Sequence, residues 1–583
     1  MNVTPNPANE LYENPVPEVK PKQVIETGPR FSDSDSFELI TGDAVLNLIN
    51  TDSGFRQSWD LLFEACPWAT VFQSRAYVTA WYQAYHEEHF PILIKAVEKG
   101  QLKGLLPMVL LDTKACDEQT FSSKGGRITF AGHYESLYQA WLAPPSDGDA
   151  FIKKALTTVL KRFPKHTISL RFVPPGTPLD WVKKDKQWQQ YCILQSHARP
   201  LIKLTDKEEE KIFQRRKHFK HKFNRLKRAG EVQFETIKDL QSFESCLREM
   251  AVLYDFRQSA LFNKSPFTED AAYKDFMLEL FRLQLLHVTV LKVNGKMIAA
   301  IVAVGGKDWM YLAGINCHSP VNGRWFSPGF LHFILLSQQL ADEGYNYFDL
   351  TPGYDSYKEE LANDHDEVFE LVISNKPAFR LKRRLRKWIH ARLIAAGKRP
   401  MSAELSLKWF TYLLKHRSAG SLIKGMFKRL QRKEKPQRYW LQGYTPVPPN
   451  ITLKKDDLVD LQEFTSGKRS DLTRWEFLSN AAFRLERGQH CYTWVENGTL
   501  LACAWVSYQD VQSAKKDDRP ENDNTIELLG LYCHANGKDR LTGFVNEVIN
   551  SAVNKEKKNY FSTNEPLFWK ALELAGGKKV SGN

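Results

Sequence analysis

The sequence predicts an α/β fold with mixed sheets, α+β in character, in which one strand-rich unit recurs along the chain. Three observations predict it. Hairpin turns sit at Lys99-Gly100, Asn294-Gly295 and Asn497-Gly498, each between apolar strand-like runs, and such dipeptides tolerate the positive φ of a tight turn. Segments with helical apolar spacing alternate with these strands. The pattern returns at intervals of roughly 150 to 200 residues, which reads as duplication rather than a short solenoid repeat.

The 583 residues suffice for several ordinary domains, and 42% hydrophobic with 12% aromatic residues is a globular composition. The eight Cys are scattered with no CxxC pair, which argues against a structural zinc site or a disulfide framework and fits a reducing cytoplasm. The start, MNVTPNPANELYENPVPEVKPKQ, is polar and Pro-rich rather than signal-like, and no run of about 18 apolar residues could span a membrane. Walker loops, zinc-ligand spacings and Gly-x-Ser-x-Gly elbows do not occur, so nucleotide hydrolysis, metal chemistry and serine hydrolysis lack support. A net charge of +13 calls for an anionic partner: cofactor phosphates, an anionic membrane face or RNA.

In chain order, residues 1–36 are rich in Pro, Glu, Ser and Asp and read as a disordered tail. Residues 37–200 form the first α/β unit: SWDLLFEAC and SRAYVTAWYQAYHEE have helical spacing, PILIKAVEKGQLKGLLPMVLL is a hairpin, and ITFAG and TISLRFV are later strands. The second unit, 201–375, opens on the basic helix KIFQRRKHFKHKFNRLKR, with Ile212, Phe213, Phe219, Phe223 and Leu226 on its packing face. It continues as the hairpin HVTVLKVNGKMIAAIVAV, the strand DWMYLAGINCHS, a helix opening at Ser327-Pro328-Gly329 and a short strand ending at Asp349.

Residues 376–449 are a basic helical segment and linker. Between 376 and 440, about twenty Lys and Arg face only Glu404 and Glu434, with apolar stripes at Leu381, Leu385, Trp388, Ile389 and Leu393 and again at Leu422, Met426, Phe427 and Leu430. Charge and apolar stripe together read as a contact with an anionic membrane surface or polymer, or as helices packed on the protein with a wet basic face. Residues 450–583 form a third α/β unit: the hairpin CYTWVENGTLLACAWVSY, then strand–loop–helix and strand–helix–strand.

The loop Asn322–Gly329 is the candidate phosphate cradle. Free N–H groups and the helix dipole converge at a helix start, Pro328 suits its first turn, and Arg324 could add a charge-assisted bond. The competing reading is an ordinary strand-to-helix turn.

The order of elements from Val288 to Tyr357, and the stretch SPGFLHFILLSQQLADEGYNYFDLTPGYDSYK in particular, resembles the acyl-CoA-binding half of the GNAT acetyltransferase fold. More narrowly it resembles the CelD-like acetyltransferase domain of bacterial polysaccharide biosynthesis. The first unit resembles the partner domain of CelD-like and FemABX-like proteins, where GNAT-type folds sit in tandem and the first often lacks a working cofactor site. The third resembles a further GNAT unit, departing from the pattern where chemistry usually lies. The resemblance implies tandem GNAT-like domains and acetyl-CoA, or another acyl-CoA, held through Gly314, Gly323, Arg324, Ser327 and Gly329 without a metal. Acyl transfer needs a polarised carbonyl and a proton acceptor. Gly314 on the central strand fits the first role. Asp349, His318 and Tyr357 are the proton-transfer candidates, and Tyr357 with Lys358 the acceptor contacts. Each has a structural alternative: a strand-end cap for Asp349, a loop histidine for His318, packing plus a salt bridge for the Tyr-Lys pair.

The function this implies is acyl-CoA-dependent N- or O-acyl transfer to a sugar or amino acceptor in cell-surface polysaccharide biosynthesis, in the cytoplasm or peripheral on the inner membrane face. The alternatives are a FemABX-like transferase using aminoacyl-tRNA on a peptidoglycan precursor, under which tRNA would be the one nucleic-acid partner, and an inactive GNAT-fold scaffold at the membrane.

Overall fold

The computed structural model describes residues 36–111, 125–205, 209–321, 323–417, 437–441, 451–466, 472–509, 524–553, 559–574 and 577–579. The stripe at Leu422 to Leu430, the Pro-rich linker after Gly443 and nearly all of the N-terminal tail lie outside the described residues. The fold is mixed α/β with two large mixed sheets.

The first sheet has 13 strands: β1 (Ser36–Thr41), β2 (Phe90–Glu98), β3 (Gln101–Leu110), β4 (Arg127–Phe130), β5 (Thr167–Val173), β6 (Cys192–Lys203), β7 (Val232–Ile237), β8 (Leu286–Val293), β9 (Lys296–Gly305), β10 (Trp309–Tyr311), β11 (Asn316–His318), β12 (Tyr347–Asp349) and β13 (Asp364–Ile373). The second has seven: β14 (Gln437–Leu441), β15 (Lys454–Lys455), β16 (His490–Glu496), β17 (Thr499–Gln509), β18 (Asn524–Cys533), β19 (Asn559–Thr563) and β20 (Lys578–Lys579).

One pairing sequence occurs three times. An antiparallel hairpin (β2–β3, β8–β9, β16–β17) is followed by a strand antiparallel to its second arm (β4, β10, β18). A crossover then returns to a parallel neighbour, giving β4–β5, β10–β12 and β18–β19. The crossovers contain helices because a parallel return needs a dozen or more residues. The first two copies exchange strands. β6 lies between β12 and β13, and β13 lies between β5 and β6, so one sheet runs through residues 36–373 and the chain crosses position 200 inside a strand. The second sheet takes β14 from residues before 450, a strand absent from the sequence reading of a basic helical segment and linker.

Helix α1 (Glu209–Ala229) is the basic helix, and its Phe219, Phe223 and Leu226 pack with Leu291, Ala299 and Leu331. Helix α2 (Leu240–Phe262) is capped by Asp239, whose carboxylate accepts from the Ser242 N–H, and ends on Asn263 at φ 54°. Helix α3 (Gly323–Phe326) and helix α4 (Pro328–Asp342) form the β11–β12 crossover, and α4 buries Phe333, Leu336 and Leu340 against Met310 and Phe348. Helices α5 (Pro377–Ala395) and α6 (Pro400–His416) form a hairpin, and no residue of α5 is buried. Helix α7 (Arg474–Glu486) belongs to the third unit yet packs on α2: Trp475 Nε1 and Ser479 Oγ both donate to the Ala260 carbonyl, at 3.1 and 2.6 Å. No described helix is long and apolar enough to cross a membrane.

Candidate active site

The strand read as continuous from Asp308 to Ser319 is two short ones. β10 pairs with β12 up to Tyr311↔Asp349, whereas β11 pairs only with β9, so the two central strands splay just beyond Asp349. Gly314 sits in the break. A Cβ there would stand 2.5 Å from the Val302 carbonyl oxygen, so the close approach that needs glycine is to the backbone of β9. Gly314→Ala must push two strands apart and should cost about 1–3 kcal/mol in urea unfolding, the usual range for overpacking.

Four of the proposed residues meet. His318, Gly323, Ser327 and Gly329 line a cavity of about 560 Å³ at the start of α4. Ser327 is the N-cap of α4 at φ 48°, with Pro328 in the first turn. Lys222 of α1 reaches this cap, its Nζ 3.0 Å from Ser327 Oγ and 5.0 Å from the Phe330 ring centroid. A Cβ on Gly329 would lie 3.1 Å from His318 Nδ1, so this glycine leaves room for the imidazole. Burial, with the nearby Arg257 charge, pulls His318 down to about 4, so it is an uncharged proton acceptor near neutrality. The far wall comes from the end of α7 in the third unit, through Phe483, Glu486 and the C-cap residue Arg487. Burial pushes the Glu486 carboxyl up, with Arg257 opposing. Arg324 lies in α3, but its side chain is outside the described residues.

Asp349 belongs to a different constellation. It is fully buried: Tyr138 donates to Oδ2 at 2.5 Å, Arg199 approaches Oδ2 at 3.2 Å, and the Thr351 N–H donates to Oδ1 at 2.7 Å. Arg199 also forks onto both oxygens of Asp366. Burial raises the Asp349 carboxyl, while Arg199 and the Tyr138 hydroxyl oppose the rise. The network joins the first unit (Tyr138, Arg199) to the second (Asp349, Asp366) where their strands interleave. From Asp349 it continues to Thr351, a β-branched residue at φ 69°. Lys358 fixes that strained turn, donating to the Thr351 carbonyl at 3.2 Å and to Oγ1 at 2.6 Å. Burial lowers the Lys358 ammonium, with Asp355 opposing. Tyr357 is half-buried near the Phe333 ring, and burial pushes its hydroxyl up to about 12.

Thus the phosphate-loop residues and His318 share one cavity, and Asp349 with Lys358 shares a turn network whose members do not line it. Sequence reasoning missed Lys222, Tyr138, Arg199 and Arg487. Only Lys222 carried a signal, as part of a basic helix with an apolar face. Among the described residues no cluster of three or more His, Cys, Asp or Glu is placed to hold a metal ion.

No curated protein matches the chain. Among solved structures it resembles the C-terminal domain (DUF2156) of a putative lysylphosphatidylglycerol synthetase from Agrobacterium fabrum, at 12% identity, TM-score 0.37, over 59% of this chain and 97% of that one. It also resembles FemX, at 10% identity and TM-score 0.38, over 56% of this chain and 98% of that one. A GCN5-related N-acetyltransferase from Kribbella flavida resembles it at 14% identity and TM-score 0.23, over 46% of this chain and 88% of that one. Residues 214–359, which carry the Lys222 contact, the splayed strands, the α4 side of the cavity and the Asp349 turn, match the family model of the acetyltransferase (GNAT) domain.

Proposed function

We propose that the second unit is an acyl-CoA-dependent N- or O-acyltransferase, with acetyl-CoA as donor and a cell-surface polysaccharide precursor as acceptor. The observation that carries this reading is that the α4 start and His318, both within the segment that matches the GNAT model, line one cavity, with Lys222 bonded to the Ser327 cap at its edge. The first N–H groups of α4, its dipole and the Lys222 ammonium suit a pyrophosphate. Where the central strands part, Gly314 is the candidate to turn a backbone N–H on an acyl carbonyl, because the N–H groups of Leu312, Ala313, Leu350 and Thr351 are already bonded. In the transfer, the acceptor oxygen or nitrogen attacks the thioester carbon, the acceptor proton passes to His318, and the C–S bond breaks to release the CoA thiolate, which takes the proton back from His318 and leaves as the thiol.

Calorimetry with acetyl-CoA tests the donor. Wild type should bind in the micromolar range, and Lys222→Ala should weaken binding about tenfold, the scale of one charge-assisted hydrogen bond. Failure of wild type to bind would transfer the reading to an aminoacyl-tRNA donor or a scaffold. A pH profile tests His318. If its pKa lies near 4, kcat/KM should stay flat from pH 7 to about 5, whereas an inflection at 6.5 would remove the buried imidazole as the base.

The reading extends to the cytoplasmic face of a membrane. Helix α5 presents Leu381 and Trp388, 70% and 57% exposed, beside Lys382, Arg384 and Lys387. Such a helix suits an anionic leaflet, each cation contributing about 1 kcal/mol. Flotation with phosphatidylglycerol vesicles should recover the protein at low salt and lose it by about 0.5 M salt, where the Debye length falls to a few ångström.

A further inference from the structure

A second cavity, of about 960 Å³, shares no lining residue with the first and lies between the α5–α6 hairpin and the face of β4, β5 and β13. Its two sides differ in chemistry. On the roof, Leu385, Ile389 and Leu393 fall at successive four-residue steps of α5, with Leu407 of α6 beside them. Leu385, Ile389 and Leu407 remain 54%, 42% and 65% exposed, so this hairpin leaves an apolar strip uncovered over the cavity. On the floor, Thr129, Ser169, Gln139 and Arg171 present polar groups.

Cations collect at the mouth. Arg127, Arg171 and Lys264 surround the Tyr134 ring at 6.0, 5.5 and 5.7 Å from its centroid. None of the three forms an ion pair among the described residues. The carboxylates nearby are committed elsewhere: Glu370 to Arg383, Glu404 to Arg386 and His390, and Glu135 to the Trp81 N–H. Burial raises Glu135 to about 7, which leaves it a poor counter-charge. His133 reports the resulting positive field, since burial first and then Arg127, His89, Arg171 and Lys264 lower it to about 3. Like charges gathered without a counter-ion repel, and a bound anion relieves that repulsion.

We propose that this cavity binds a lipid phosphate, an anionic phosphate ester carrying a long hydrocarbon chain. The phosphate takes Arg127 and Arg171 at the mouth, and the chain lies along Leu385, Ile389, Leu393 and Leu407. The apolar strip is what favours a lipid over a nucleotide or a free phosphate. The site does not depend on the acyl-transfer reading.

Calorimetry on the full chain, with dodecyl phosphate below its micellar concentration, tests it. Binding should be at least tenfold weaker in the Arg127→Met, Arg171→Met double variant and, separately, in Ile389→Asp, Leu407→Glu. Both pairs occupy exposed or partly exposed positions, and an unchanged melting temperature establishes that they fold. Inorganic phosphate and dodecyl maltoside, which each supply half of the ligand, should bind at least a hundredfold more weakly. Equal binding by either half ligand, or unchanged affinity in folded forms of both double variants, overturns the proposal. Lyso-phosphatidylglycerol in the same titration distinguishes sources: tighter binding than dodecyl phosphate assigns a membrane phospholipid, weaker binding a phosphomonoester lipid.

Discussion

Arg199→Leu will lower the unfolding free energy by about 3–5 kcal/mol in urea denaturation, the range for stranding a buried charge. The Arg199 side chain is 5% exposed and stands between Asp349, 0% exposed, and Asp366, 32% exposed. Removing the guanidinium leaves Asp349 without its cation in a site water does not reach, although Asp366 can still be hydrated. The Asp349 carboxyl must then protonate or carry an uncompensated charge. Asp349→Asn should cost less, because Arg199 keeps its fork onto Asp366 and the amide oxygen can still accept from Tyr138 or Thr351. The double variant Arg199→Leu, Asp349→Asn should therefore be more stable than Arg199→Leu alone. If it is less stable, charge stranding is not the reason for the loss. The same comparison separates two roles of Asp349. As a positioning residue it sets the Thr351 turn, so Asp349→Asn should lower turnover in proportion to loosening of that turn, with no change in the pH profile. As a base, it would take the profile with it.

Local pattern made the hairpins, the basic helix and the helix opening at Pro328 legible, because each is dictated by neighbours in sequence: a Gly-containing turn, a 3.6-residue apolar period, a Ser-Pro-Gly start. Strand pairing was another matter. β6 and β13 are not among the strands read from the sequence, and nothing in ARPLIK or EVFELVI says that they interleave across the first two units, since register is set by tertiary partners. β14 escaped because five residues between a charge run and a Pro-rich linker show too little alternation to register. The phosphate-loop candidates converge because they come from one continuous stretch, with His318 just upstream. The rest of the chemistry arrives from far along the chain: Tyr138 and Arg199 reach Asp349 from 211 and 150 residues away, and Lys222 reaches Ser327 from 105. A carboxylate at the end of an apolar strand could be read as buried, but its partner could not. That partner changes Asp349 from a free base candidate into a member of a closed network.

Acid will destabilise the protein through its buried histidines, and His332 gives the clearest measurement. It lies on α4 with 0% exposure, its Nε2 2.8 Å from Thr289 Oγ1, and burial pulls it down to about 3. The folded pKa is thus below the value of about 6.5 expected for the unfolded chain, and the unfolded state binds the extra proton. Its contribution is fully present above pH 6.5 and shrinks as pH falls toward 3, by about 1.4 kcal/mol per pH unit. At pH 4.5 this one residue accounts for about 3 kcal/mol relative to pH 7. His318, at about 4, and His133, at about 3, act in the same direction. Glu135 opposes them: raised to about 7, it holds a proton in the folded state that the unfolded chain releases until about pH 4.5, so it favours folding as pH falls through that window. Burial also raises the Asp149, Asp255, Asp349 and Glu486 carboxyls and lowers His166, His197 and His287, so the lowered histidines still outnumber the raised carboxyls and urea midpoints should fall from pH 6.5 to 4.5. His332→Gln retains a hydrogen-bonding side chain for Thr289 and removes the titration. It should lose some stability at pH 7 through imperfect packing, yet lose about 3 kcal/mol less than wild type on going to pH 4.5. Parallel pH curves for the two proteins would mean that His332 titrates alike in both states, and that the acid lability arises at the histidines nearer the surface.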